Sequence, residues 1–175
     1  MPAGRRRWGW HRLSSTVASR VVADAGVGPG DLVVDVGAGT GALTAALVAA
    51  GANVLAVEAH AGRADELRRR FPATAVTVVR ADLRTMRWPP DPFTVVANPP
   101  WSLLEELRAT LERQPSLRAA HLVVPRWLGR RWVERYPHVR LTGSVRAEAF
   151  TPPAPTGAAI VVVRRARLAR AKPPQ

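Results

Sequence analysis

The stretch VVANPPWSLL, residues 95–104, sets an asparagine, two prolines and a tryptophan directly behind an apolar run. Asn and Pro serve turns for backbone reasons, but a large aromatic straight after the turn is there to touch something. These residue types suit the holding of a planar amine. Asn98 offers a side-chain oxygen, and Pro99 offers a carbonyl in a backbone that proline keeps rigid. The nitrogen of an exocyclic amine is a poor nucleophile because its lone pair is delocalised into the ring. Two acceptors, one on each N–H, draw it towards tetrahedral geometry. Trp101 can stack on a base turned out of its helix, worth on the order of 1–3 kcal/mol. The proton becomes acidic once a methyl has been transferred, so positioning and electrostatics carry the rate rather than a general base.

A partner for that chemistry lies upstream. In VVDVGAGTGA an apolar run enters Gly37-Ala38-Gly39-Thr40-Gly41 and leaves as a helix. Glycines let the backbone approach a ligand, and a helix N-terminus favours an anionic group there. Gly37, Gly39 and Ala42 also satisfy the looser dinucleotide fingerprint, so the loop alone fits either a nicotinamide cofactor or S-adenosyl-L-methionine. Glu58 follows roughly 20 residues on, where an acid accepts both ribose hydroxyls; it too fits either cofactor. Asp82, in VVRADLR, breaks the tie: a carboxylate there can accept from an adenine amine, with Leu83 covering the ring. A nicotinamide enzyme has no use for Asn-Pro-Pro-aromatic beside that crevice, whereas a methyl donor facing an amine has.

Such residues work together only if strand ends bring them to one edge. The runs LVVDV, NVLAVE, AVTVVR, FTVVAN and AAHLVVP are short and apolar, as strands buried on both faces are. Helical patterns separate most of them: ALTAALVAA, GRADELRRRF, SLLEELRATLERQ and the basic RWLGRRWVERY. Ser14 or Ser15 can cap an earlier helix carrying Val17, Val21 and Val22 on one face. Alternation at this spacing predicts a doubly wound α/β sheet of seven strands. The last two strands, VRLTGSVRAEAF and AAIVVVRR, are joined by TPPAPTG, too short and proline-rich for a crossover. They must pair antiparallel at an edge of the sheet. The expected organisation is a basic arm over 1–13, one domain over 14–165 and a basic tail over 166–175.

Lys plus Arg number 26 against 13 Asp plus Glu, a net charge of +13, and the chain has no cysteine. A GC-rich genome favours arginine codons, but such an excess over the acids points to a polyanion partner, nucleic acid first. The absence of cysteine excludes disulfides and thiolate metal sites. The histidines at 11, 60, 121 and 138 lack ligand spacing, so no metal is expected. No apolar run approaches the roughly 18 residues of a membrane span, and no h-region follows the basic start. A cytoplasmic protein, acting as a monomer, is expected. Arg5, Arg6, Arg7, Arg126, Arg130 and Arg131 are candidate phosphate contacts. Trp88, Trp127 and Trp132 read as packing residues; Trp8 and Trp10 fit either packing or stacking.

Taken together, VVDVGAGTGALTAALVAAGANVLAVEAH, ADL, VVANPPW and FTPPAPTGAAIVVVRR resemble the ribosomal RNA adenine N6-methyltransferases. Within them the chain most resembles the Erm group that modifies 23S ribosomal RNA, and WGWHRL is similar to its short actinobacterial members. The resemblance implies a Rossmann-like class I methyltransferase fold with an antiparallel last strand. It implies S-adenosyl-L-methionine as donor and methylation of an adenine that blocks macrolide, lincosamide and streptogramin B binding. It also implies residue roles. His11 and Leu13 would meet the donor, Gly37 and Gly39 would cradle its methionine part, Glu58 would hold its ribose and Asp82 its adenine. Asn98 and Trp101 would hold the target adenine, with Phe150 on the base's other side. Trp10 and Arg12 depart from the usual Gln and Phe, Trp101 from Tyr or Phe, and Thr156-Gly157 from Val-Asp or Val-Asn. The expected form is one without the C-terminal helical domain of longer relatives. Rival readings keep the chemistry on a DNA adenine or a protein amine or amide, or make the chain a non-catalytic RNA-binding module.

Overall fold

Apolar runs of four to nine residues build the sheet, and the computed structural model describes residues 11–165 of the chain. Arg5, Arg6, Arg7, Trp8, Trp10 and the tail 166–175 lie outside the described residues. In chain order the elements begin with β1 (Arg12–Leu13), α1 (Ser15–Ala25), β2 (Leu32–Val36), α2 (Ala42–Ala49), β3 (Asn53–Val57), α3 (Ala61–Arg70) and β4 (Val76–Val79). They continue with β5 (Phe93–Ala97), α4 (Leu104–Glu112), β6 (Leu117–Pro125), α5 (Arg126–Arg135), β7 (Val139–Val145), β8 (Phe150–Thr151) and β9 (Ala158–Val163). Single 3₁₀ turns occupy Trp101–Leu103 and Ala147–Ala149.

The main sheet has seven strands in the order β4-β3-β2-β5-β6-β9-β7. All pairings from β4 to β6 are parallel, and β9 runs antiparallel to both β6 and β7. The chain is thus the expected doubly wound α/β sheet. The short proline-rich link forces β9 to return beside β7, and β9 inserts between β6 and the edge. One core, holding Val21, Leu47 and Ile160, lies under α1, α2 and α3. The other holds Leu107, Leu122 and Trp132 under α4 and α5. Ser14 caps α1, its hydroxyl accepting from the Val17 N–H at 3.4 Å.

The segment 139–150 departs from the expected single strand. β7 stops at Val145, and a 3₁₀ turn intervenes. Phe150 and Thr151 then pair with Leu13 and Arg12 in a separate two-stranded antiparallel sheet. Arg12 and Leu13 are therefore knitted into the domain, and the Ser14 N–H donates to the Ala149 carbonyl at 2.8 Å. Among the described residues no helix is long and apolar enough to cross a membrane.

Candidate active site

Three parallel strands deliver their ends to the edge where the glycine loop turns. β2 ends before Gly37, β3 before Glu58 and β5 before Asn98. Gly37, Gly39 and Gly41 have φ values of 73°, 59° and 84°, left-handed backbone that side chains rarely adopt. At Gly37 a second reason for glycine appears. A Cβ there would stand 3.1 Å from Pro100 Cδ and 3.4 Å from Pro99 Cα. The missing side chain lets the Asn98-Pro99-Pro100 segment sit directly against the glycine loop.

Glu58 is buried, and its carboxylate is already engaged. The Gly39 N–H donates to Oε2 at 2.9 Å, while the His60 N–H at 2.8 Å and Arg63 Nη2 at 3.1 Å donate to Oε1. This acid therefore shapes the glycine loop. Asp82 is more open. The guanidinium and backbone N–H of Arg84 hold its carboxyl down to about 2. Oδ1 accepts from both the Arg84 N–H and Nε, whereas among the described residues Oδ2 accepts only from Nη2. A carboxylate oxygen carries two lone pairs, so Oδ2 keeps one for a ligand. Leu83 is buried behind it.

Among the described residues, the first segment and the Asn-Pro-Pro turn meet through one hydrogen bond. Asn98 Nδ2 donates to the His11 carbonyl at 2.9 Å across 87 residues of chain. That bond sets the amide, and Oδ1 accepts no hydrogen bond among the described residues. The His11 ring, whose Nδ1 is 3.0 Å from the Pro152 carbonyl, lies 6.0 Å from Trp101 and 6.4 Å from Phe150. Trp101 and Phe150 meet edge to face at 6.3 Å. Trp101 is partly open. Phe150, expected on the far side of a base, is 1% exposed and sits in the core. Its ring meets Trp101 and His11 and offers no open face.

A small hollow is lined by His11, Leu13, Asp35, Gly37, Thr40 and Asn98, among others. Two of these were not singled out from the sequence. Asp35 is buried and accepts from Thr44 Oγ1 at 2.7 Å. Burial pushes its carboxyl up to about 7, the Glu58 charge adds to the rise, and the Thr44 hydrogen bonds only partly offset it. The signal was present: an acid inside the apolar run LVVDV is costly unless it meets a partner or a ligand. Thr40 Oγ1 is buried without a hydrogen-bond partner among the described residues. An unpaired hydroxyl and a strained carboxyl in one glycine-lined hollow suit a ligand with N–H donors and positive charge. The amino and sulfonium groups of S-adenosylmethionine are such groups.

The candidate phosphate contacts divide. Arg5, Arg6 and Arg7 lie outside the described residues. Arg126, Arg130 and Arg131 are exposed on α5. Of the tryptophans read as packing residues, Trp132 is fully buried and Trp88 stacks on Phe93 at 5.7 Å. Trp127 is not a packing residue: it is 59% exposed. Leu128 and Trp132, four apart, take the inner face of α5, which turns position 127 outward.

Comparison with known proteins agrees with this arrangement. The chain is 34% identical over 139 residues to ribosomal RNA small subunit methyltransferase A of Thermosynechococcus vestitus, covering 75% of this chain and 52% of that protein. It is 38% identical over 131 residues to the protein of the same name from Leifsonia xyli subsp. xyli, covering 68% and 45%. The chain thus spans about half the length of these curated relatives. Among solved structures, the 23S rRNA methyltransferase ErmE superposes with a TM-score of 0.80 at 22% identity, over 90% of this chain and 70% of that one. The family model described as ribosomal RNA adenine dimethylase matches residues 3–154, a span that includes the glycine loop and the Asn-Pro-Pro turn; a match over most of the chain places this protein in the ribosomal RNA adenine dimethylase family.

Proposed function

We propose that this chain transfers methyl from S-adenosyl-L-methionine to the exocyclic N6 of an adenine in 23S ribosomal RNA. The observation that carries the reading is the fixed amide of Asn98: its N–H₂ is committed to the His11 carbonyl, so its oxygen is left to accept from the target amine. S-adenosyl-L-methionine is the donor of this family. Asp35 and Thr40 would hold its amino end against the glycine loop, with Gly37 and Gly39 supplying the close approach. Glu58 would take the ribose, Oδ2 of Asp82 the adenine amine, and Leu13 would pack beside it. When bound, the donor supplies an electrophilic methyl group.

The chain's own residues do the rest. Asn98 Oδ1 and the Pro99 carbonyl accept from the two amine N–H groups and raise the nitrogen's nucleophilicity. Trp101 supports the base face to face. Phe150 holds Trp101 and His11 in place from the core rather than stacking on the base. Positioning of two bound reactants supplies most of the acceleration. Arg126, Arg130, Arg131 and the arm Arg5–Arg7 would pair with phosphates.

The choice of 23S RNA rests on the Erm-like combination of WGWHRL, residues 8–13, with FTPPAPTGAAIVVVRR, residues 150–165; the likeness to ErmE accompanies it and carries the fold alone. On this reading the protein acts in the cytoplasm, as a monomer whose site is built from one chain. Its modification confers macrolide, lincosamide and streptogramin B resistance. The test is transfer of labelled methyl to protein-free 23S RNA, 16S RNA, duplex DNA and total protein, with Asn98→Ala alongside. The expected result is label in 23S RNA, reduced at least about 100-fold in Asn98→Ala, as on removal of one polar group that acts in the transition state. Label in 16S RNA alone keeps the chemistry and overturns the 23S assignment. Label in DNA or protein overturns the ribosomal substrate. Donor binding with no transfer points to a substrate outside this set, and absence of donor binding leaves an RNA-binding module.

A further inference from the structure

We infer that Trp127 is a stacking platform for an unpaired RNA nucleotide next to the target adenine, with Arg126, Arg130 and Arg131 gripping the adjoining phosphates. The inference rests on the ribosomal RNA reading above and specifies the local form of the substrate: single-stranded at the target's neighbour.

The placement follows from sheet register. β5 and β6 are adjacent parallel strands, with Ala97 opposite Leu122. Asn98 follows β5, and Arg126 and Trp127 follow Pro125 at the end of β6. Both segments leave the same edge from adjacent strands, roughly 5 Å apart sideways, with Arg126 three residues, about 10 Å, further along than Asn98. A strand whose adenine enters at Asn98 therefore passes the start of α5 within a nucleotide or two. The start of α5 is also fixed in place. The Arg126 N–H donates to the Gly157 carbonyl at 3.0 Å. The Arg126 guanidinium lodges against Gly157, where a Cβ would meet Nη2 at 2.9 Å. At Gly129 a Cβ would stand 2.9 Å from Ala159 Cβ, so the helix lies close on β9. The platform is rigid.

The chemistry of the surface selects the partner. Trp127 is 59% exposed, the most open large apolar side chain among the described residues. Among those residues no ring or cation stacks on it, and it belongs to neither core. Helical spacing puts Trp127 beside Arg130 and Arg131 on the outer face. None of Arg126, Arg130 and Arg131 has a carboxylate within ion-pair distance among the described residues. An open indole ringed by unpaired guanidinium groups suits a base with its phosphates: every base has a π-face to offer, and arginine forks match phosphate oxygens. A duplex presents no free base face, so the ring discriminates for an unpaired nucleotide.

The experiment measures affinity of the full chain, wild type, Trp127→Ala, Trp127→Phe and Arg130→Ala/Arg131→Ala. Two RNA probes are used at several salt concentrations: a single-stranded oligonucleotide carrying the target adenine, and the same sequence locked in a duplex. Trp127→Ala should lose about tenfold affinity for the single strand, with an unchanged salt slope and unchanged duplex binding. Trp127→Phe should recover most of it. Arg130→Ala/Arg131→Ala should instead flatten the salt slope, by about one unit per arginine. The exposed position predicts an unaltered melting temperature for Trp127→Ala, which separates stacking from folding. Single-strand affinity unchanged in Trp127→Ala, or lost equally on duplex, overturns the inference. Trp127-dependent single-strand binding without methyl transfer to any RNA would keep the stacking platform but overturn its place beside a target adenine, together with the proposed function.

Discussion

Asp35 and Asn98 both face the hollow beside the glycine loop, and each is set by one hydrogen-bond partner. Thr44 holds Asp35 and the His11 carbonyl holds Asn98. For Asp35 the balance is unfavourable without a ligand, since burial outweighs the hydrogen bonds and its carboxyl titrates near 7. A pKa raised on folding stabilises the protein fully below the unfolded value near 3.8, and that stability is lost as pH rises towards 7. Asp35→Asn should therefore be more stable than the wild type above pH 7 without donor, seen as a higher melting temperature at pH 8 than at pH 4 relative to wild type. A cationic donor reverses the preference by favouring the carboxylate. Donor binding near pH 6 should release a proton, detected by calorimetry in buffers of different ionisation heat. Asp35→Asn should abolish that release and weaken binding roughly 10- to 100-fold, as for a hydrogen bond to a charged group. Phe150 gives a different prediction. Phe150→Leu should keep most of the stability yet lower the rate of transfer, because Trp101 and His11 lose their edge contacts. Phe150→Ala should cost about 3–5 kcal/mol, measured by chemical denaturation.

At the scale of elements, α4 is pinned by a buried arginine. Arg108, 8% exposed, bonds Glu112 and the Tyr136 hydroxyl and reaches Glu105, which also accepts from Trp132 Nε1 at 3.0 Å. Its guanidinium lies 3.8 Å from the centre of the Tyr136 ring. The cluster joins α4 to α5, and α4 follows directly on the Asn98–Trp101 segment. Arg108→Ala would leave Glu112 and Glu105 short of a partner and should cost about 3 kcal/mol or more in denaturant unfolding. Burial opposes the Glu112 charge, but hydrogen bonds from His138 and Arg108 outweigh it and lower its pKa. This contribution is present above the unfolded value of 4.5 and is lost as pH falls through the lower folded value. The wild type should lose this stability on acidification below pH 4.5, and Glu112→Gln should not. The elements themselves were largely legible in the chain, since buried strands are local apolar runs and glycines mark the turn after β2. Arg108 was not, because nothing in LEELRATLE separates a solvated arginine from one that finds Glu112 and a tyrosine 28 residues on.

For the whole molecule the dominant quantity is a net charge of +13. Phosphate pairing releases counterions, so affinity for RNA should fall steeply with salt, log affinity declining by about 0.7 per phosphate contact for a single strand and 0.9 for a duplex. A salt titration of filter binding measures this, and a shallow slope would show that the arginines are merely solvated. The chain by itself determined the class of fold, the glycine loop, and the acids and Asn-Pro-Pro turn at the strand ends, because each is written in neighbouring residues. Only the tertiary structure decided which of them meet. It placed the His11 carbonyl on Asn98, paired Leu13 with Phe150, drew Phe150 into the core and left Trp127 outside. Those outcomes depend on pairings between residues far apart in the chain and on which helix face a side chain occupies. Such energies arise from the packed sheet as a whole and leave no signature in the local run of residues.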